Sequence, residues 1–502
     1  MNLSEKLYNS MASSPNTPFV FENEHYTFGD IDTMSRKTAA FLKDIGVKFG
    51  DRVALQMPKS MEFIYFHLAN LTIGAISLPL NTAYGAKEIE YFLSDSESAF
   101  FVTYKENYVR LKDILNRLNI KTVLIDAASD NTIFYQDEIK NYTPIKPDFP
   151  AKGSDTAMIG YTSGTTGRSK GAMITHDNLV FNMEALRSTW RWTSDDVLLH
   201  VLPLFHFHGL GVALHGAINA KSKVIMHKKF DPVRVWNAIE KDKITMFMGV
   251  PTLYHRMTQS WHKLTQKPDI KSMRVFISGS APLSEKLFYQ FEQITGHRIL
   301  ERYGMTEAGM IASNPYESAL RIPKSVGYAL NGCKIRIVKN GNDAQPGEVG
   351  NVYIKGNNIF KGYWKMPQKT KESFSDGWFE TGDMGYMDRT GRLFLVGRSK
   401  NMVITGGFNV YPKEVEYTLE ENSCVDEAVV FGMEDKDFGE RVEAAVTLTK
   451  DKCITSDELI EFCKNRIAHY KCPKKIHIVE EIPKNAMGKV VVGEIKKLIL
   501  NS

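Results

Sequence analysis

Six short apolar runs recur through the first 280 residues: RVALQM (52–57), FFVTY (100–104), TVLID (122–126), KVIMH (223–227), MFMGV (246–250) and RVFISG (274–279). Each has the length of a buried strand. Between them, SMEFIYFHLANLTIG (60–74) and DNLVFNMEALRSTW (177–190) carry apolar residues at helical spacing. Alternation of this kind predicts an α/β chain of parallel sheets covered by helices, with ligands gathered at the carboxyl ends of the strands.

At 502 residues the chain is long enough for more than one domain. After about residue 330 the texture changes: KIRIV, GNVYIKG and RLFLVGR are short strands broken by Gly and Asn, which predicts a small β subdomain. GRSKNMVITGG (397–407) is polar and glycine-rich, and a compact αβ tail follows from Pro412. The expected division is a large N-terminal domain over 1–397, a hinge at 398–400 and a small mobile α+β C-terminal domain over 401–502.

The net charge of +5 is the difference between 63 cations and 58 anions. Such a surface suits small anions and offers no basic patch for nucleic acid. The five cysteines, Cys333, Cys424, Cys453, Cys463 and Cys472, have no CxxC spacing and read as free thiols in a reducing compartment. MNLSEKLYNS lacks the pattern of a signal peptide, and no run approaches the ~18 apolar residues of a membrane span. The expectation is a cytoplasmic protein.

Residues 161–170 read YTSGTTGRSK. Gly164 and Gly167 let backbone N–H groups turn inward, Ser163, Thr165 and Thr166 add hydroxyls, and Arg168 and Lys170 add charge. The composition suits nucleotide phosphates, with an ordinary solvated loop as the alternative. It is neither GxxxxGK[ST] nor GxGxxG, so the two commonest phosphate motifs are excluded.

The loop resembles the signature of the acyl-adenylate-forming enzymes, the superfamily of acyl-CoA synthetases. SGSAPL (278–283), ERYGMTEAG (301–309), GWFETGDMGYMD (377–388), GRSKNMVITGGFNVYPKEVE (397–416) and PKNAMGKV (483–490) follow in the family's order. PLNTAY (79–84), HFHGL (206–210), MGVPTLYHRM (248–257), SNPY (313–316) and RIPKSVG (321–327) are similar to the malonyl-CoA synthetase subgroup. The resemblance implies ATP, Mg²⁺ and coenzyme A, and activation of a carboxylic acid as its adenylate before thiol transfer. It implies that Thr162, Ser163, Gly164, Thr165, Thr166, Gly167 and Lys170 hold phosphates, with Thr306 on a phosphate oxygen and Glu307 on Mg²⁺. Gly279, Ser280, Ala281, Glu301, Arg302 and Tyr303 would hold the nucleotide, Tyr303 stacking on adenine. Asp383 would take the ribose, and Arg398 the ribose or phosphate. Lys489 would bridge carboxylate and α-phosphate. Lys400 would be the hinge, and Gly406 and Gly407 would later line the thiol tunnel.

A malonate pocket must neutralise a second carboxylate in a dry site. The resemblance makes Arg321 the expected cation, with His206 and His208 beside it and Ser278, Met248 and Thr252 as further lining. The expected substrate is malonate or methylmalonate, and His206 is also a candidate catalytic group. Competing readings are a medium- or long-chain fatty acyl-CoA ligase, an adenylating enzyme that loads a carrier protein, and a non-catalytic nucleotide-binding regulator.

Overall fold

The computed structural model describes residues 2–162, 169–405, 408–435, 438–485 and 489–500. Among these the strands form three sheets. The first holds the parallel strands Arg52–Leu55, Ile76–Pro79, Ser98–Thr103 and Lys121–Leu124, extended by Thr156–Thr162, which pairs antiparallel with Lys170–Thr175. The second has a parallel part built from Val197–His200, Lys223–Met226, Met246–Gly249, Val275–Ser278 and Leu300–Met305. All six predicted strands fall in these parallel parts.

The helix Met61–Ile73 is buried at every position but one, so it is apolar on all sides rather than striped. One large core cluster explains this. It takes Val53, Leu55 and Met158 from the first sheet, Leu198, Val224 and Met246 from the second, and Phe63, Ile64 and Phe66 from the helix. The helix His176–Thr189 joins the same cluster and starts at a capping box on Thr175, whose hydroxyl accepts from Asn178 N.

Leu300–Met305 is the strand at which the second sheet changes character. One edge pairs parallel with Val275–Ser278 and the other pairs antiparallel with Gly309–Ser313. Beyond it lie Ser325–Ala329, Leu393–Arg398, Trp378–Met387, Gly350–Gly356 and Cys333–Lys339, all antiparallel. The β unit expected as a small subdomain is therefore continuous with the parallel half through Ser325–Ala329 and Gly309–Ser313. Pairing satisfies the backbone groups that the outer edge of Leu300–Met305 would otherwise leave open.

The third sheet contains Val403–Thr405, Phe408–Val410, Val425–Asp435, Gly439–Leu448 and Lys475–Ile478. With the helices Pro412–Glu420 and Ser456–Lys464 it encloses its own core around Val415, Leu419, Val430, Val446 and Leu459. It touches the rest of the chain through polar contacts: Lys286 Nζ donates to Val425 O at 2.5 Å, and Lys324 Nζ lies 5.1 Å from the ring centroid of Tyr417. No helix among the described residues is long and apolar enough to cross a membrane.

Candidate active site

Side chains alternate across a strand, so Leu300–Met305 sends its residues to two sides. Glu301 and Tyr303 share one side. Glu301 Oε1 accepts from Leu283 N at 2.9 Å, which anchors the 279–283 loop, and burial pushes this carboxyl up to about 8. Tyr303 packs among Ala308, Ile311 and Phe360, and its hydroxyl donates to the Asp383 carboxylate. Asp383 stands opposite Arg398 on adjacent antiparallel strands, with Arg398 Nε 2.6 Å from Asp383 Oδ1. Burial raises the Asp383 carboxyl and the Arg398 cation opposes that shift.

Arg302 points to the other side. It is 3% exposed, and Nε and Nη2 have no hydrogen-bond partner among the described residues. Burial holds this guanidinium down at about 9. It lies against Gly279, where no side chain competes for its place. Ser278, the preceding residue, is fully buried and its hydroxyl has no partner among the described residues. Ser280 adopts φ +71° and its Oγ is 3.3 Å from His208 Nδ1, and Ala281 is half-buried beside it.

His206 and His208 precede and open a π-helical turn, His208–Leu214, the kind of helical irregularity that often marks functional segments. Gly209 is obligatory there, since a Cβ would fall 2.1 Å from Pro203 O. His208 N donates to His206 Nδ1 at 3.3 Å, and His208 Nε2 is buried without a partner among the described residues. Burial, reinforced by Lys489 and Arg302, depresses His206 to about 3. Burial, with Arg302 next, drives His208 well below the usual histidine value. Both rings are therefore neutral beside a cation.

A third group lies on the turn after the switch strand. The Thr306 methyl packs on Gly160, where a Cβ would fall 2.6 Å from Thr306 Cγ2. Glu307 Oε1 accepts from Thr162 Oγ1 and from Tyr363 OH, each at 3.2 Å. Glu307 Oε2 takes no bond among the described residues, which leaves an oxygen for a cation. One carboxylate with phosphate oxygens and water is a donor set that fits Mg²⁺. Lys170 Nζ sits 4.3 Å from the Tyr363 ring centroid, and burial lowers its pKa against the pull of Glu307.

Lys489 reaches this centre from the C-terminal part. Asn485 N donates to Lys489 O at 2.9 Å, and Lys489 N donates back to Asn485 Oδ1 at 3.0 Å. Its ammonium is open to water yet crowded by protein. Burial and Arg398 lower its pKa, while Asp383 and Glu307 oppose them. Lys400 is exposed in the short turn Ser399–Asn401 that links the two parts.

The structure corrects the expectation for Arg321. It is 2% exposed, and its Nε donates to Pro315 O at 3.1 Å, Nη1 to Arg298 O at 2.6 Å and Nη2 to Tyr316 O. Its guanidinium is committed to backbone carbonyls, and the cation gathered with the two histidines is Arg302. Met248 is packed in the large core cluster, and Thr252 is half-buried in the first turn of the helix Pro251–Lys263. Ser163, Gly164, Thr165, Thr166, Gly167, Gly406 and Gly407 lie outside the described residues. Tyr363 went unnoticed in the sequence because nothing in KGYWK marks its hydroxyl for Glu307.

A profile of AMP-binding enzymes matches residues 7–364, and one of the AMP-binding enzyme C-terminal domain matches 414–489. The chain is 34% identical over 527 residues to the malonate–CoA ligase of Arabidopsis thaliana, covering 96% of this chain and 86% of that protein. It is 32% identical over 519 residues to the long-chain-fatty-acid–CoA ligase of Bacillus subtilis (strain 168), covering 97% and 92%. ATP-bound MatB from Rhodopseudomonas palustris superposes with a TM-score of 0.92 at 37% identity, over 99% of this chain and 98% of that one. The apo form of the same protein gives 0.83 at 38% identity over the same coverage. Matched across both its large and small parts, the chain belongs to the AMP-binding enzyme family.

Proposed function

We propose that the chain joins malonate to coenzyme A at the expense of ATP through a malonyl-adenylate, releasing AMP and pyrophosphate, with methylmalonate as a second acid of the same class. The observation that carries this reading is the buried Arg302 guanidinium, with two N–H-bearing nitrogens unpartnered among the described residues, beside neutral His206 and His208. An unpaired buried charge costs several kcal/mol. The distal carboxylate of a short diacid offsets that cost through charge-assisted hydrogen bonds, and Ser278 Oγ and His208 Nε2 supply further polar contacts. An alkyl chain in the same place would leave Arg302 desolvated and unpaired.

The remaining groups divide the activation step among them. Lys489, carried in by the C-terminal part, bridges the near carboxylate and the α-phosphate where charge develops. Asp383, held by Tyr303 and Arg398, accepts from the ribose hydroxyls. Thr306, Lys170 and residues 162–167 hold the phosphates. Glu307 holds Mg²⁺, which neutralises phosphate charge when bound. The 279–281 segment lies against adenine. Tyr303 acts through Asp383, and Glu301 through the loop it anchors. Lys400 is the pivot about which the small domain turns to bring Gly406 and Gly407 to the thiol. The reducing cytoplasm suits five free thiols, of which Cys333, Cys463 and Cys472 are buried. Cell fractionation tests that location.

The function is tested by pyrophosphate release across malonate, methylmalonate, acetate, octanoate and palmitate, with and without coenzyme A. Fastest turnover is expected with malonate. Fastest turnover with octanoate or palmitate would transfer the chain to the fatty acyl reading, which the similarity to the Bacillus subtilis ligase keeps in view.

A further inference from the structure

Lys59 lies between the strand Arg52–Leu55 of the first sheet and the helix Met61–Ile73, and it is buried. Its amine crosses to the second sheet. Nζ is 2.9 Å from His200 Nδ1, 2.9 Å from His200 O and 3.0 Å from His227 O. His200 closes the strand Val197–His200, and His227 follows the neighbouring parallel strand Lys223–Met226. The other ring nitrogen of His200, Nε2, is 2.8 Å from Gly209 O, in the π-helical turn that His208 opens. A chain of direct contacts thus runs from the first sheet through His200 to the loop bearing His206 and His208.

The direction of each bond in this chain is fixed. A carbonyl oxygen only accepts, so Nε2 carries the hydrogen and donates to Gly209 O. Burial, with the Lys59 charge next, drives His200 well below the ordinary histidine value, so the ring is neutral and Nδ1 holds a lone pair. Lys59 is therefore the donor to Nδ1. Burial also pulls Lys59 well below the ordinary lysine value, against Glu22. This does not alter the direction, because a neutral amine still has two N–H groups and the ring accepts one of them. Without a donor at Nδ1 the two neutral tautomers would compete, and the one protonated at Nδ1 would turn a lone pair against Gly209 O at 2.8 Å.

We propose that Lys59 is a positioning residue for the acid site: by donating to Nδ1 it selects the His200 tautomer that holds the Gly209 carbonyl, and with it the turn that carries His208. The inference rests on the reading of His206 and His208 as part of the acid pocket. Gly209 directly follows His208 and packs so closely on Pro203 that a Cβ would fall 2.1 Å from Pro203 O. The turn therefore has little slack, and a released Gly209 carbonyl shifts the His208 ring, whose Nδ1 is 3.3 Å from Ser280 Oγ. A misplacement of about 1 Å in a substrate-positioning group can cost on the order of 100-fold in rate. Lys59 touches neither acid nor nucleotide groups and acts through His200 alone.

The test is a double-mutant cycle on Lys59→Met and His200→Gln, with each substrate varied in turn. The Gln amide offers an N–H near the place of His200 Nε2 and has no tautomer to select. Lys59→Met alone is expected to raise the KM for malonate about tenfold, with kcat and the KM for ATP within about twofold of the wild type. Made on His200→Gln, the same substitution is expected to change the malonate KM by about twofold or less, so the two changes are not additive. Equal effects of Lys59→Met in both backgrounds, no effect in either, or an equal rise in the KM for ATP would show a general packing role and overturn the assignment. Because Lys59 is buried, a second measurement uses no Lys59 variant. The ¹⁵N signals of the His200 ring in histidine-labelled wild type, identified by their absence from His200→Gln, should show hydrogen on Nε2 and a hydrogen-bonded lone pair on Nδ1. Hydrogen on Nδ1 overturns the assignment. If the wild type turns over octanoate or palmitate fastest, the malonate reading fails, while the cycle run with that acid and the ring spectrum still decide the role of Lys59.

Discussion

The guanidinium of Arg302 lies over Gly279: a methyl group at residue 279 would fall 2.5 Å from Arg302 Cζ and 2.7 Å from Nη1. The clash is with the far end of a flexible side chain and not with backbone, so Gly279→Ala should fold and displace the guanidinium. We expect kcat/KM for malonate to fall by roughly tenfold or more, with the KM for ATP within about twofold of the wild type. Steady-state kinetics with each substrate varied checks this. Unchanged malonate kinetics would mean that the Arg302 position does not matter to the acid.

The two buried arginines should fail in opposite ways. Arg302→Met removes a cation that has unpartnered donors and should abolish malonate use while leaving the melting temperature near that of the wild type or above it. Arg321→Met strips donors from the carbonyls of Pro315, Tyr316 and Arg298, each worth about 1–3 kcal/mol when left unsatisfied, and should lower stability markedly. Calorimetric melting and malonate-dependent pyrophosphate release on both variants separate the roles.

Lys489 must be protonated to bridge two anions. Burial and the Arg398 charge lower its pKa in the free enzyme, so the cation is lost at a pH below that of an ordinary lysine. The rate should therefore fall on the alkaline side as pH rises through that depressed value. The profile of kcat/KM for malonate-driven ATP–pyrophosphate exchange reports it. Arg398→Gln removes a nearby like charge and should move the alkaline limb to higher pH. A limb that stays in place would detach it from Lys489.

Glu301 makes a stability prediction of definite sign. Its folded pKa is raised to about 8 from 4.5, so the folded state holds a proton that the unfolded chain gives up. Its contribution is present in full below the unfolded value and is lost as pH rises through the folded one. Glu301→Gln keeps an acceptor for Leu283 N and removes the titration. Its unfolding free energy, followed by denaturant titration, should gain on the wild type between pH 5 and pH 8, by an amount on the order of a few kcal/mol at most. A constant difference across that window would overturn the account.

Much of the scaffold is legible in the chain itself. The six apolar runs are strands because backbone hydrogen bonding and apolar burial act over a few residues, and the flanking helical patterns supply the cover. Asp383 and Arg398 were named from their motifs and meet because antiparallel register sets them opposite each other. The β unit after residue 330 was visible as strands, but its connection to Leu300–Met305 through Ser325–Ala329 and Gly309–Ser313 was not, since an open strand edge does not announce its partner.

The chain by its own residues fixes the order of elements and the chemistry of the motifs, with Arg302 named for the nucleotide and Arg321 for the acid. Which of these two arginines is available follows from packing. Arg321 is satisfied by carbonyls within its own loop and on Arg298, whereas Arg302 is left with open donors because Gly279 and the His206–His208 loop converge on it from distant strands. Whether a buried charge is paired depends on every group that surrounds it, and that sum over remote residues is fixed by packing and not by any local run of the chain.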